Sequence, residues 1–199
     1  IDTFLEKKSF EYANRIISVS SLLFNKLDKK FKYKCDVIFP VYDKKKIRLK
    51  NFKKIKKSFK INFEYILYFG SMIQRKGVFI LSKVLKSVEK RHKNIHFLFV
   101  GSDSRQNFKS AKKKILNENY EIKRKLHFLP SLRHEFLYPI IKNAKIIVMP
   151  TYIDTVPSAS LESMSNGGVL LGSNNSSLEE YVKDNENGFL FDNGKVVSL

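Results

Sequence analysis

Two short stretches of this 199-residue chain have residue types and spacings suited to a phosphorylated, hydroxyl-rich ligand. The first is Gly70-Ser71-Met72-Ile73-Gln74-Arg75-Lys76-Gly77. A glycine closing an apolar run lets a ligand approach the backbone, a helix start favours anions, and Arg75 and Lys76 add full positive charge. That combination suits a pyrophosphate. The stretch is neither a GxGxxG nor a Walker A loop, so on its own it also fits a solvated strand-to-helix turn. Gly101-Ser102-Asp103 is a weaker version of the same signal. The second stretch runs from Asp154 through Val156, Pro157 and Ser158 to Glu162, then on through Ser163-Met164-Ser165-Asn166-Gly167-Gly168. Pro157 can open a helix that carries Glu162 about a turn and a half from its start. A carboxylate there can accept both hydroxyls of a vicinal diol, as acidic residues do with ribose in dinucleotide-binding folds. The amides of Val156 and Ser158 are expected to face the same crevice. A lone glutamate on a helix is otherwise commonly a solvated surface group.

These stretches need elements to hold them, and the pattern from residue 61 onward supplies alternating strands and helices. Apolar runs at Tyr65–Phe69, Ile95–Val100, Leu126–Leu129, Lys145–Met149, Val169–Leu171 and Gly188–Phe191 read as strands. Between them, Leu81, Val84, Leu85 and Val88 show helical spacing, and further helices are expected at about 106–117, 133–143, from near Pro157, and at 178–182. Several short βα units in one run predict an α/β fold, a doubly wound, Rossmann-like parallel sheet whose ligand site lies at the carboxyl ends of the strands. Gly70, Gly101, Pro130 and Pro150 all fall at such ends. Residues 1–43 read as the closing part of a second, incomplete α/β domain, with strands at 15–19 and 37–40 and a helix at 22–30. Residues 44–60 read as a basic linker, and 61–199 as the Rossmann-like domain. Both chain ends are expected to be cut from something longer.

The motifs, in this order and at these separations, resemble the donor-binding domain of GT-B glycosyltransferases, in particular family 4, the group 1 type of retaining enzymes that use nucleotide sugars. That family's strand, Gly-Arg, four residues and Lys-Gly is similar to Gly70-Ser71 followed by Lys76-Gly77. Its Val-Gly turn resembles Val100-Gly101, and its Phe-Leu-Gly strand end resembles Phe128-Leu129-Pro130. Ala144-Lys145-Ile146-Ile147-Val148-Met149-Pro150-Thr151 is similar to its Ala-Asp, four apolar residues, Pro-Ser. Its Glu, seven residues, Glu motif falls on Asp154 and Glu162, and its Asp-Gly-x-Asn-Gly segment resembles Asp184 to Gly188. The resemblance covers residues 61–193 closely and 8–43 loosely. Two positions depart from the pattern: Ser71 stands where the family has arginine, and Asp154 is one methylene shorter than glutamate.

The resemblance implies the C-terminal half of a GT-B fold and the transfer of a sugar from a nucleoside diphosphate to an acceptor hydroxyl with retained configuration. Lys76 and Asp154 would be the catalytic positions. Lys76 would neutralise the departing diphosphate, with Arg75 a substitute cation beside Gly70 and Ser71. Glu162 would hold the ribose, while Asp154, Val156, Pro157 and Ser158 would position the sugar. No metal or other cofactor is expected. The implied partners are a nucleotide-sugar donor and a glycan or lipid-linked acceptor, as in cell-surface polysaccharide or lipopolysaccharide synthesis. The remaining catalytic groups would lie in an N-terminal half, so this chain is not expected to turn over alone. The alternatives are a noncatalytic basic Rossmann module that binds RNA or anionic membrane, and a GT-B nucleotide-sugar epimerase. An epimerase would need catalytic histidines, and none of the four His falls in these motifs.

Composition narrows the field further. The chain has one cysteine, Cys35, which gives neither an internal disulfide nor a metal-ligand spacing, and it points to a reducing cytoplasm. No apolar run approaches the roughly 20 residues that span a bilayer. The net charge of +19 is uneven. Residues 1–60 and 61–150 each hold 18 basic and 6 acidic groups, whereas 151–199 hold 2 and 7. Lys outnumbers Arg 31 to 7, although planar, bidentate arginine is the better reader of bases and phosphates. Nucleic acid is therefore not an expected partner. The charge fits compositional drift or an anionic membrane surface, with peripheral attachment on the cytoplasmic side.

Overall fold

The computed structural model describes residues 3–42, 49–102, 105–106, 109–152, 158–174 and 176–195. The chain divides into two units, Ile1–Val41 and Tyr42–Leu199. In the first, helix α1 (Thr3–Tyr12) precedes strand β1 (Ile16–Ser18), helices α2 (Ser21–Lys26) and α3 (Lys29–Lys32) follow, and strand β2 (Cys35–Val37) pairs in parallel with β1. The single helix expected over 22–30 is two short ones, because Leu27 is extended and the Asp28 carboxylate caps a new start by accepting from Lys30 N–H. The second strand lies two residues earlier than the pattern predicts. Lys34 sets its entry: the side chain is buried and donates to the carbonyls of Glu11 and Ala13 at 3.1 and 2.7 Å.

In the second unit the order is α4 (Leu49–Ser58), β3 (Glu64–Phe69), α5 (Val78–Arg91), β4 (Ile95–Val100), a short antiparallel pair β5 (Arg105–Gln106) and β6 (Lys109–Ser110), and α6 (Ala111–Glu118). Then come β7 (Leu126–Leu129), α7 (His134–Asn143), β8 (Ile146–Met149), α8 (Ser158–Ser165), β9 (Leu170–Ser173) and β10 (Phe189–Phe191). Six of these strands form one sheet in the order β10-β9-β8-β3-β4-β7, with every pair parallel. Counted from β3, that is the 3-2-1-4-5-6 order of a doubly wound Rossmann-like fold, read from the other edge.

Both faces of this sheet are covered, which is why its strands read as continuous apolar runs. Tyr65, Leu67 and Phe69 pack with Leu98 and Val100 against α7 on one face. Tyr68, Phe97 and Phe99 pack against α5 and α6 on the other. The helix expected from about residue 106 begins at Ala111 instead, where the Ser110 hydroxyl caps it by accepting from Lys113 N–H. The helix expected at 178–182 is a 3-10 turn, Ser177–Glu180, capped by Ser176.

Residues 49–58 of the basic segment are helical and docked, not an extended connector. Phe52, Ile55 and Phe59 recur at helical spacing, and Ile55 is buried in the same core cluster as α7. Lysine has good helix propensity, and three apolar residues on one side suffice to seat the turn sequence on a neighbour. Among the described residues no helix is long and apolar enough to cross a membrane.

At the amino-terminal edge of the sheet His96 Nδ1 and His127 Nε2 lie 2.9 Å apart, and the Phe63 ring stacks over both imidazoles at 4.2 and 4.1 Å. One nitrogen must donate and the other accept, so the bond is lost when both rings are protonated. Burial, and then the neighbouring His96, hold His127 down to about 4 from an ordinary 6.5. Burial, and then the charge of Lys125, lower His96. The unfolded chain takes up these protons near pH 6.5 and the folded chain only below it. The stabilisation is therefore complete above about 6.5 and is lost as pH falls toward 4. Urea midpoints are expected to drop between pH 7.5 and pH 5, and His127→Phe to flatten part of that drop. An unchanged pH slope in the variant would assign the acid sensitivity elsewhere.

Candidate functional site

The reversal of strand order lies between β3 and β8, which are neighbours although β4 and β7 intervene in sequence. Ligands of doubly wound sheets bind at the carboxyl ends of the strands at this switch point. The segment leaving β3 is Gly70 to Gly77, and the segment leaving β8 begins at Pro150. The first chemical stretch singled out in the sequence therefore starts at one lip of the crevice, and the chain that leads to the second leaves from the other.

The two lips are tied together. After β3 the chain turns through a 3-10 helix, Gln74–Lys76, and Gly77 takes left-handed backbone angles, φ 73° and ψ 11°, before α5 begins. A Cβ on Gly77 would lie 1.5 Å from the carbonyl oxygen of Pro150. No other residue allows that approach. The carbonyl of Arg75 accepts from Tyr152 N–H at 3.1 Å and from the Thr151 hydroxyl at 3.3 Å. Farther back, the Tyr68 hydroxyl donates to the Ser71 carbonyl at 2.8 Å, and Met72 N–H donates to the Ser102 carbonyl at 3.0 Å. Ser71 and Arg75 are exposed, Lys76 is half-buried, and Gly70 closes β3 by donating its N–H to Val100 at 2.9 Å.

Across the crevice Ser158 opens α8 and Glu162 is its fifth residue. The Glu162 side chain is only 15% exposed, so it is not the solvated surface carboxylate that an isolated helix would carry. His134 Nε2, at the start of α7, lies 3.7 Å from Glu162 Oε1, and the His134 ring stacks on Tyr138 at 5.1 Å. Burial raises the Tyr138 hydroxyl, helped by its contact with the Tyr42 hydroxyl and by the negative charge of Glu162. Asn166 fixes the following turn, donating through its backbone N–H and its side-chain amide to the Glu162 carbonyl. Its Oδ1 is buried with no hydrogen-bond partner among the described residues. Asp154, Val156 and Pro157, like Asp103 of the weaker signal, lie outside the described residues. Among the described residues no group of three or more metal-ligating side chains gathers.

Residues 50–199 match the family model described as glycosyl transferases group 1. The chain belongs to that family. A glycosyltransferase from Rickettsia africae ESF-5 superposes with a TM-score of 0.82 at 16% identity, over 100% of this chain and 55% of its own. Alr3699/HepE of Anabaena, solved in complex with UDP and glucose, gives 0.78 at 16% identity, over 96% of this chain and 52% of its own. The lipopolysaccharide outer core galactosyltransferase WaaB, in its apo form, gives 0.68 at 18% identity, over 94% and 51%. The chain thus spans about half the length of these solved structures. At such identities the likeness shows the fold, and that fold is the GT-B arrangement. No curated protein matches the chain.

In this group 1 glycosyltransferase domain, the fold also brings to the crevice contacts that the motifs do not announce. His134 is 28 positions from Glu162 in sequence, and only the folding of α7 beside α8 joins them. Thr151 and Tyr152 grip the backbone of the loop after β3 through ordinary hydrogen bonds that no spacing announces.

Two glycines separate the backbone effect from the steric one. Gly77 and Gly167 share left-handed angles, φ 73° and 75°, but a Cβ on Gly167 would meet nothing within 4 Å. Gly167→Ala should therefore cost only the left-handed penalty, about 1 kcal/mol, and Gly77→Ala at least about twice that. Urea denaturation of both variants measures the difference. Equal losses would mean that the loop does not rest on Pro150.

Proposed function

We propose that this chain binds a nucleoside diphosphate sugar at the β3/β8 switch point and, within the whole protein, serves retaining transfer of the sugar to a glycan or lipid-linked acceptor. The observation that carries the reading is the backbone clamp between the cationic turn Gln74–Lys76 and the segment that leads to Glu162. It sets the loop that bears both cations against the segment that leads to the carboxylate helix. The complex of Alr3699/HepE with UDP and glucose supports a nucleotide-sugar donor for a domain of this fold. The WaaB likeness supports an acceptor of the cell-surface glycan class, and with it a place on the cytoplasmic side of a membrane.

In this reading the diphosphate lies over the β3 loop, with its negative charge facing Lys76 and Arg75. As the bond between the anomeric carbon and the phosphate oxygen breaks, its electron pair stays on that oxygen. The added charge is met by preorganised cations and amides, with no metal needed. The acceptor oxygen bonds to the anomeric carbon on the face just vacated and passes its proton to the departing phosphate oxygen. Glu162 accepts from the ribose hydroxyls. Asp154 and the amides of Val156 and Ser158 orient the sugar.

Calorimetry with UDP and GDP on the full chain should detect binding of one of them, weakened about tenfold or more by Glu162→Ala. Equal affinity in the variant would remove Glu162 from the site. In the whole enzyme Lys76→Ala should lower kcat by about 10² or more, the scale on which one preorganised donor acts, and Arg75→Ala should do less. A normal kcat in the Lys76 variant together with a loss in the Arg75 variant would transfer the cation's role to Arg75.

A further inference from the structure

One face of α4 has a chemistry that the donor site does not use. Lys53, Lys56, Lys57 and Lys60 recur at spacings of three, four and seven, which puts them on one side of the helix and its carboxyl-terminal turn. All four are exposed, and with Ile61 and Asn62 they line one surface depression. From Lys44 to Phe63 the chain carries no acidic residue. Among the described residues no salt bridge reaches any of the four.

The opposite face of the helix is already occupied. Ile55 is buried in the domain core, Phe59 packs against the same cluster, and Lys54 is turned aside with its ammonium over the Phe136 ring at 5.8 Å. The helix ends in a hydrogen-bonded lock, Ile61 N–H to the Lys56 carbonyl at 3.0 Å, with Lys60 at φ 51° in the left-handed position ordinarily given to glycine. The lysines are thus carried on a seated helix. They span about 10 Å of its length, close to one Debye length at 0.1 M salt, so they act on a facing surface as one charge.

We infer that this lysine face docks the protein on an anionic lipid surface by charge alone, without inserting into it. The choice of a membrane rests on the lipid-linked acceptor proposed above and on the composition of the face. It carries no arginine to grip phosphate bidentately and no aromatic ring on which bases could stack, as a nucleic-acid surface would. Among the described side chains of α4 and its closing turn it also offers no exposed apolar group to enter the acyl region, because Ile55 is buried and Phe52 and Phe59 are half-buried. Each lysine near such a surface multiplies partitioning by roughly fivefold at low salt.

The test is co-sedimentation of the full chain with vesicles of phosphatidylcholine alone or with 30% phosphatidylglycerol (~3 in 10 lipids), at about 50, 150 and 500 mM NaCl. Binding should require the anionic lipid and vanish at the highest salt. Changing Lys53, Lys56, Lys57 and Lys60 to Gln should weaken it on the order of 10²-fold at low salt. A control with the same charge change, Lys83, Lys90, Lys113 and Lys123 to Gln, should keep most of it. Equal losses in the two variants would reduce the effect to net charge. Binding that survives high salt would mean insertion, and vesicle binding indifferent to phosphatidylglycerol would remove the membrane. A single-stranded RNA of about 20 nucleotides that outcompetes vesicles at equal charge would make the face a nucleic-acid surface instead. UDP or GDP calorimetry on both variants reads the donor site separately, so loss of docking and failure of the donor reading remain distinct.

Discussion

The contact between the turn after β3 and the chain leaving β8 fixes the geometry of the rest of the site. In a doubly wound sheet the switch point is a gap by construction, because the helices of the two halves diverge from it. Here the gap is spanned at backbone level. Gly77 lies against the Pro150 carbonyl, and one carbonyl, that of Arg75, accepts from both Thr151 and Tyr152. The Ser173 hydroxyl donates to the Thr151 carbonyl, and Asn193 Nδ2 donates to the Tyr152 carbonyl at 2.9 Å. The carboxyl-terminal ends of β3, β8, β9 and β10 are thereby coupled through two residues. Side chains attached to such a frame need little reorganisation when charge develops between them, which is what electrostatic catalysis demands.

On the other lip the order of effects is reversed, and side chains do the holding. Glu162 is mostly withdrawn from water and has an imidazole within 3.7 Å. A carboxylate that is partly desolvated yet faces polar partners keeps its capacity to accept hydrogen bonds and loses competition from solvent. The Tyr42, Tyr138 and His134 chain behind it connects α7 to the segment preceding α4, so the surroundings of the carboxylate are set by elements outside its own helix. In the turn following the same helix, the buried Asn166 Oδ1 has no hydrogen-bond partner among the described residues.

What the sequence made legible follows from burial on both faces. Strands such as Ile95–Val100 are apolar from Phe97 to Val100 because α7 covers one side and α5 the other, and this leaves a signal of run length and terminal glycine that needs no knowledge of the fold. The order of the motifs then placed them at strand ends. Three features were hidden for physical reasons. The pairing of His134 with Glu162 depends on α7 and α8 lying side by side, which no local pattern encodes. The docking of α4 was masked because a helix with lysine at five of its ten positions has low mean hydropathy, although Phe52, Ile55 and Phe59 keep a helical period. The early placement of β2 is set by Lys34, whose buried ammonium is held by two distant carbonyls, and a lysine beside a strand carries no such message in sequence.

The serine at position 71 gains its meaning from the loop geometry. In the family pattern an arginine at that point would bring a guanidinium to the diphosphate. Here the residue is short, and its neighbourhood is organised by backbone bonds instead. Its carbonyl accepts from Tyr68, and its hydroxyl lies 3.4 Å from that of Ser102. Gly101, at φ 148°, lets the end of β4 come so close to the Gly70 carbonyl that a Cβ would lie 2.0 Å from it. The first part of the loop is therefore stiffened without contributing charge, and full positive charge enters only at Arg75 and Lys76. These sit in a 3-10 turn capped by left-handed Gly77, one residue from the contact with Pro150. Concentrating the cations there places them nearest the clamp, where displacement costs most. With serine at position 71, the loop carries its two full positive charges on the turn whose backbone is held by Thr151 and Tyr152.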